Sequence, residues 1–300
     1  MNEIELIKKY WRERPFHFKQ YLDQDFIKGF ELDSFFDWCK ESNESIRLFT
    51  IDEDSPEKTG RSLIIDQNKD VKQIYAALKK KQETFTFHMN GVEKVEKKVN
   101  EIREKLDVPF VLRLDDIIAT LSTENSGIGY HSGHEDGFII QLKGQRRWKV
   151  WMPDLTTLDY RHALLNPNGQ IPSLQKPENN EMLIIDVITK PGDVLYIPPF
   201  FPHEGLTVEE SLSLSVAWKG IAPITFIKFL QDDIQYDTTK SATLFEDTED
   251  VKSIPNYWLD ETLKSIDKSS HINQNELKEI INSFIKIQIE NYQVYESNLQ

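Results

Sequence analysis

Apolar and polar positions alternate with two different periods along this chain. Up to about residue 106 the texture is mixed. Aromatics interleaved with charges (Pro15-Phe16-His17-Phe18, Phe30, Phe35-Phe36, Trp38) predict short helices burying their rings. Residues 55–61 predict a turn-rich connection. Charged segments with helical spacing predict helices over 70–82 and 91–106, interrupted by an alternating strand at Thr84-Phe85-Thr86-Phe87. From residue 110 the runs shorten and become β-type: 110–112, 117–121, 138–142, 148–151, 182–187 and 193–197, separated by glycine and polar turns. Residues 211–218 begin in strict alternation, with Ser211, Ser213 and Ser215 on one face, either lining an interior pocket or facing outward. Several short strands with no helix between them predict an antiparallel barrel or jelly roll.

Helical spacing returns at 225–234, 258–266 and 276–289. Asn273 and Glu276 form a capping-box-like pair before the last of these. Leu277, Ile280, Ile281, Phe284 and Ile287 form an apolar stripe that needs a partner, either the chain's own barrel or a second copy.

Composition narrows the chemistry. Cys39 is the only cysteine, which excludes an internal disulfide and a cysteine metal cluster, and its aromatic neighbours mark it as core filler. A metal site would therefore draw on His, Asp and Glu. The net charge of −14 argues against direct nucleic-acid binding and suits a small molecule or a protein or peptide segment. No apolar run reaches the ~20 residues of a membrane span. The start, Met1-Asn2-Glu3-Ile4-Glu5, lacks the order of a signal peptide, so a cytoplasmic protein is expected.

Two segments carry candidate chemistry: Gly127-Ile128-Gly129-Tyr130-His131-Ser132-Gly133-His134-Glu135-Asp136-Gly137-Phe138, running on to Arg146-Arg147-Trp148, and Pro191-Gly192-Asp193 through Ile197-Pro198-Pro199 to His203. Two histidines on distant strands converge only if a barrel closes around them. Two imidazoles and one oxygen ligand on one face of a metal leave positions open for substrate and O₂. Pro-Gly-Asp makes a tight turn before a strand, and the prolines stiffen the exit towards His203. His17, His88, His162 and His271 are expected to be ordinary hydrogen-bonded residues. Asp115-Asp116 is expected to be solvated or capping, and Phe138 and Trp148 to be core.

The two segments resemble the JmjC-type 2-oxoglutarate oxygenases, in the cupin-like branch of ribosomal protein hydroxylases. Tyr10, Trp11, Arg14, Pro15 and Phe16 are similar to that family's N-terminal signature, and the resemblance covers about residues 8–220. It implies an enzyme using Fe(II) and 2-oxoglutarate, with His131 and His203 as iron ligands. It also implies that Arg146 pairs with the far carboxylate of 2-oxoglutarate, and that a protein side chain is the substrate. The family's C-terminal winged-helix module is expected to be absent, because too few residues follow.

One position departs from the family's His-x-Asp pattern, since Gly133 stands where the aspartate ligand belongs. Three explanations stay open. A nearby residue (Asp136, His134 or Glu135) supplies the third ligand. Alternatively, the vacancy takes a halide, as in 2-oxoglutarate halogenases. Or the protein is a non-catalytic cupin that binds a ligand without turnover. His134 with Asp136 also makes a His-x-Asp, but it lies three residues too close to Phe138 for the family register.

The reading is therefore a mainly β, double-stranded β-helix (cupin/jelly-roll) protein. Residues 1–106 form an α/β region packing on the barrel, 107–220 the barrel core, and 221–300 a helical region with a candidate role in homodimerisation.

Overall fold

A computed structural model of the chain describes residues 13–51, 60–66, 68–106, 113–133, 135–154, 174, 176–177 and 182–219. The chain divides into two compact units. The first comprises 1–107, 115–161 and 171–217, and the second comprises 108–114, 162–170 and 218–300. Nearly all described residues belong to the first unit. The expected C-terminal helices and their dimer role lie outside the described residues, as do the Tyr10-Trp11 part of the signature and the strand at 110–112.

The first unit is mainly antiparallel β. Its strands are β1 (Phe16–Phe18), β2 (Ile46–Ile51), β3 (Gly60–Ile65), β4 (Phe85–Met89), β5 (Arg113–Ser122), β6 (Asp136–Trp151), β7 (Leu183–Thr189), β8 (Val194–Ile197) and β9 (His203–Lys219). They follow the order β1-β8-β6-β9-β5-β4-β2-β3, with β7 also pairing to β6. Helices α1 (Gln24–Ile27), α2 (Ser34–Glu41), α3 (Val71–Lys80) and α4 (Lys97–Leu106) all precede β5. Asp70 caps α3, accepting from the backbone N–H groups of Lys72 and Gln73. No described helix is long and apolar enough to cross a membrane.

The jelly-roll character expected from the strand pattern is present, with one correction. Residues 138–142 and 148–151 are not separate strands but one sixteen-residue strand, β6. Gly144 makes this continuity workable: it adopts φ +65°, and a Cβ there would lie 2.0 Å from the Glu210 carbonyl oxygen. β6 can therefore bend against its neighbour without breaking. It pairs with β8 over Gly137–Ile140 and with β7 over Arg146–Trp151. The strand expected at 211–218 likewise starts earlier, at His203.

Apolar faces close the core. Ile139, Trp148, Val150, Leu195, Ile197 and Phe201 pack into one buried cluster, each large side chain contributing on the order of 1.5–3 kcal/mol by leaving water. Phe35, Phe85 and Phe87 pack ring against ring elsewhere, and these three and Phe30 are all essentially buried. Asp193 ties the N-terminal segment to the sheet. Its carboxylate accepts from His17 Nε2 at 2.9 Å, Gln20 N–H at 2.8 Å and Lys190 N–H at 3.0 Å. Beside it Gly192 turns at φ +94°, as the Pro-Gly-Asp motif predicts.

Candidate active site

The two histidine segments meet at the start of β9. His131 and His203 form an isolated antiparallel bridge through two backbone hydrogen bonds of 3.0 and 2.8 Å. Their rings lie 4.2 Å apart between centroids. The loop between β8 and β9 is held to the opposite turn, with Phe200 N–H donating to the Gly133 carbonyl at 2.8 Å.

Each imidazole is fixed in one tautomer. His131 Nδ1 lies 2.9 Å from the Gly129 carbonyl, and His203 Nδ1 lies 2.8 Å from that of Phe201. A carbonyl only accepts, so Nδ1 carries the proton and Nε2 keeps its lone pair, the arrangement of a metal-ligating histidine. Burial lowers both pKa values, and His131 further lowers that of His203. Both rings are therefore neutral at neutral pH, as ligation requires.

A cavity of about 290 Å³ opens on these rings. His131, His203, Gly133, Glu135, Arg146 and Trp148 line it, together with His88, Asn90, Asp116, Thr120, Ser213 and Ser215. That volume suits a small co-substrate and the tip of one further side chain. Arg146, from β6, is buried at 2% exposure and stacks over the Trp148 ring at 4.9 Å. Its hydrogen bond among the described residues is a long one, Nη2 to the Gly205 carbonyl at 3.3 Å, and its Nε has no partner. Desolvation alone pulls its pKa down to about 10. A buried cation with unused donors fits the carboxylate of a bound ligand. Gly205 makes the space, since a Cβ there would lie 2.7 Å from the Trp148 ring and 2.9 Å from Arg146 Nε.

The other expected site residues divide. Asp136 is not in the cavity lining. It is fully buried and its carboxylate accepts from Tyr196 OH at 2.7 Å, so β6 and β8 consume it structurally. His134 lies outside the described residues. Among the described residues no three His, Cys, Asp or Glu side chains are gathered closely enough to hold a metal. Ser213 and Ser215 face inward, whereas Ser211 is buried outside the lining. Trp148 is both core and cavity wall.

His17 is hydrogen-bonded as expected, whereas His88 has a ring nitrogen, Nδ1, without a hydrogen-bond partner among the described residues. It lines the cavity, that nitrogen is buried, and burial lowers its pKa to about 4. Asp116 is half-buried in the cavity wall and accepts from Asn90 Nδ2 and, at 2.6 Å, from Gly91 N–H, the residue that begins the short 3₁₀ turn Val92–Lys94. The available signal was the alternation of β4, where Thr86, His88 and Asn90 share the face opposite Phe85, Phe87 and Met89.

A JmjC domain family model matches residues 100–223, the stretch that supplies His131, Arg146 and His203. Two curated relatives are similar in sequence. The ribosomal protein uL16 3-hydroxylase of Escherichia coli is 36% identical over 108 residues, covering 36% of this chain and 26% of the relative. A probable ribosomal oxygenase of Haemophilus influenzae is 22% identical over 211 residues, covering 70% and 47%. This chain thus matches less than half the length of either relative. In fold it is similar to YcfD, a ribosomal oxygenase from Escherichia coli in complex with cobalt and 2-oxoglutarate. That match has a TM-score of 0.58 and 22% identity, and covers 95% of this chain and 67% of the other.

Proposed function

We propose that this chain is a 2-oxoglutarate-dependent oxygenase that hydroxylates a protein or peptide side chain, with a ribosomal protein as the favoured substrate. The observation that carries the reading is one cavity holding two neutral, oriented imidazoles and a buried guanidinium with unused donors. These groups fit the cofactors such chemistry needs. His131 and His203 would hold Fe(II), and Arg146 would take a carboxylate of 2-oxoglutarate as a fork. The bound pair supplies oxidising power: one O₂ and one 2-oxoglutarate yield succinate, CO₂ and one hydroxylated C–H bond. The chain's own contribution is to hold the ligand Nε2 atoms unprotonated, to orient the co-substrate through Arg146, and to keep water out with Trp148, Ile139 and Ile197. The names of the curated relatives favour a ribosomal protein as substrate, which would place the chain in the cytoplasm.

The test incubates the full chain with Fe(II), 2-oxoglutarate, ascorbate and ribosomal proteins of its own organism. Substrate-dependent succinate together with a mass gain of one oxygen atom on a ribosomal protein supports the reading. A second reading, a non-catalytic ligand-binding cupin, is favoured by Gly133 and by the absence of three gathered metal ligands among the described residues. It predicts 2-oxoglutarate binding without succinate.

A further inference from the structure

The position of Gly133 is not demanded by the backbone. Unlike Gly144 and Gly192, it does not adopt a positive φ, so any L residue could stand there. What a side chain would meet is a carboxylate, because a Cβ on Gly133 would lie 3.1 Å from Glu135 Oε2. The room left by the missing aspartate is already taken by an acidic group reaching back from two residues downstream. Glu135 also lines the cavity shared by His131, His203 and Arg146.

The turn that presents Glu135 is anchored at both ends. His131 is bridged to His203, the Gly133 carbonyl accepts from Phe200 N–H at 2.8 Å, and Asp136 is held by Tyr196 at 2.7 Å. Backbone displacement is thereby restrained, so a glutamate here can re-aim its carboxylate only through its three side-chain torsions. Asp116, the other described carboxylate of the lining, is engaged by Asn90 and Gly91.

Resting on the reading above, we propose that Glu135 is the third metal ligand of this chain, completing a His131–Glu135–His203 set in place of the usual aspartate. Two imidazoles and one carboxylate suit a first-row divalent cation. Among the described residues three ligands are not gathered closely enough to hold a metal, so the glutamate side chain must swing to reach the cation. The same carboxylate leaves no open place for a halide beside Gly133.

The test is Co(II) titration of the full chain, read by calorimetry and by the visible ligand-field spectrum. Glu135→Gln is expected to weaken Co(II) binding at least ~10-fold and to change the spectrum, since even groups supporting the ligands are worth 10–100-fold in affinity. Adding Gly133→Asp to that variant is expected to restore affinity, because the incoming carboxylate replaces the lost one. Chloride is expected to leave the wild-type spectrum unchanged. Wild-type affinity and spectrum in Glu135→Gln, with binding lost in His131→Ala, overturns the glutamate assignment while leaving the proposed function standing. Failure of the wild type to bind Co(II) overturns both.

Discussion

Replacing Arg146 by methionine separates a ligand-binding arginine from a structural one, because the two roles give opposite signs. In the free protein the guanidinium is buried without a carboxylate partner among the described residues. Desolvation pulls its pKa from 12.5 to about 10. That shift corresponds to roughly 3 kcal/mol of uncompensated burial at about 1.36 kcal/mol per pKa unit. The substitution gives up the 3.3 Å bond to Gly205 and the Trp148 stacking, together worth on the order of 1–3 kcal/mol. The free variant should therefore be as stable as the wild type, or more stable by up to about 2 kcal/mol. With 2-oxoglutarate present the sign reverses, since losing a buried charged partner costs about 2–5 kcal/mol of binding. If binding weakens 100-fold, ligand at 100 times the wild-type Kd stabilises the wild type by about 2.7 kcal/mol but the variant by only about 0.4 kcal/mol. Thermal unfolding with Co(II), with and without 2-oxoglutarate, reads both quantities in one experiment. A free variant less stable by several kcal/mol, with an unaltered response to 2-oxoglutarate, would refute the reasoning.

Three further outcomes follow from the same geometry. Gly205→Ala forces a Cβ into Trp148 and Arg146, so it should cost about 1–3 kcal/mol in urea unfolding and weaken 2-oxoglutarate binding in calorimetry. Asp193→Ala should destabilise by roughly 2–4 kcal/mol in the same unfolding assay, because it strands the N–H groups of Gln20 and Lys190 and the ring of His17. His88, with its pKa lowered to about 4, binds its proton less readily when folded than when unfolded. Its stabilising contribution is complete above pH ~6.5 and declines by up to about 3 kcal/mol as pH falls towards 4. His88→Gln should flatten the stability–pH curve by about one proton over that interval, as measured by chemical denaturation.

Much of the jelly-roll sheet was legible because its strands announce themselves by length and period. β8 follows a Pro-Gly-Asp turn, and β9 carries serines against leucines. The continuity of β6 was not legible. Gly144 looks like a turn in one dimension, and only the closeness of Glu209 and Glu210 shows that it serves a bend. In the cavity, His131, His203 and Arg146 stood out through their motif spacing, and the structure brings all three together. Acidity alone does not reveal that Asp136 is engaged by Tyr196, sixty residues away, outside the cavity lining. His88, Asn90 and Asp116 escaped because their role depends on which face of β4 and β5 turns inward, which alternation leaves undecided.

The central claim is that His131, His203 and Arg146 hold metal and 2-oxoglutarate together in one cavity. An anaerobic titration with Fe(II) and 2-oxoglutarate tests it most directly, by following the visible band that 2-oxoglutarate gives when chelated to ferrous iron. The account predicts a saturable band that is abolished in His131→Ala and appears only at much higher 2-oxoglutarate in Arg146→Met. No band in the wild type, or one that persists unchanged in both variants, would contradict it.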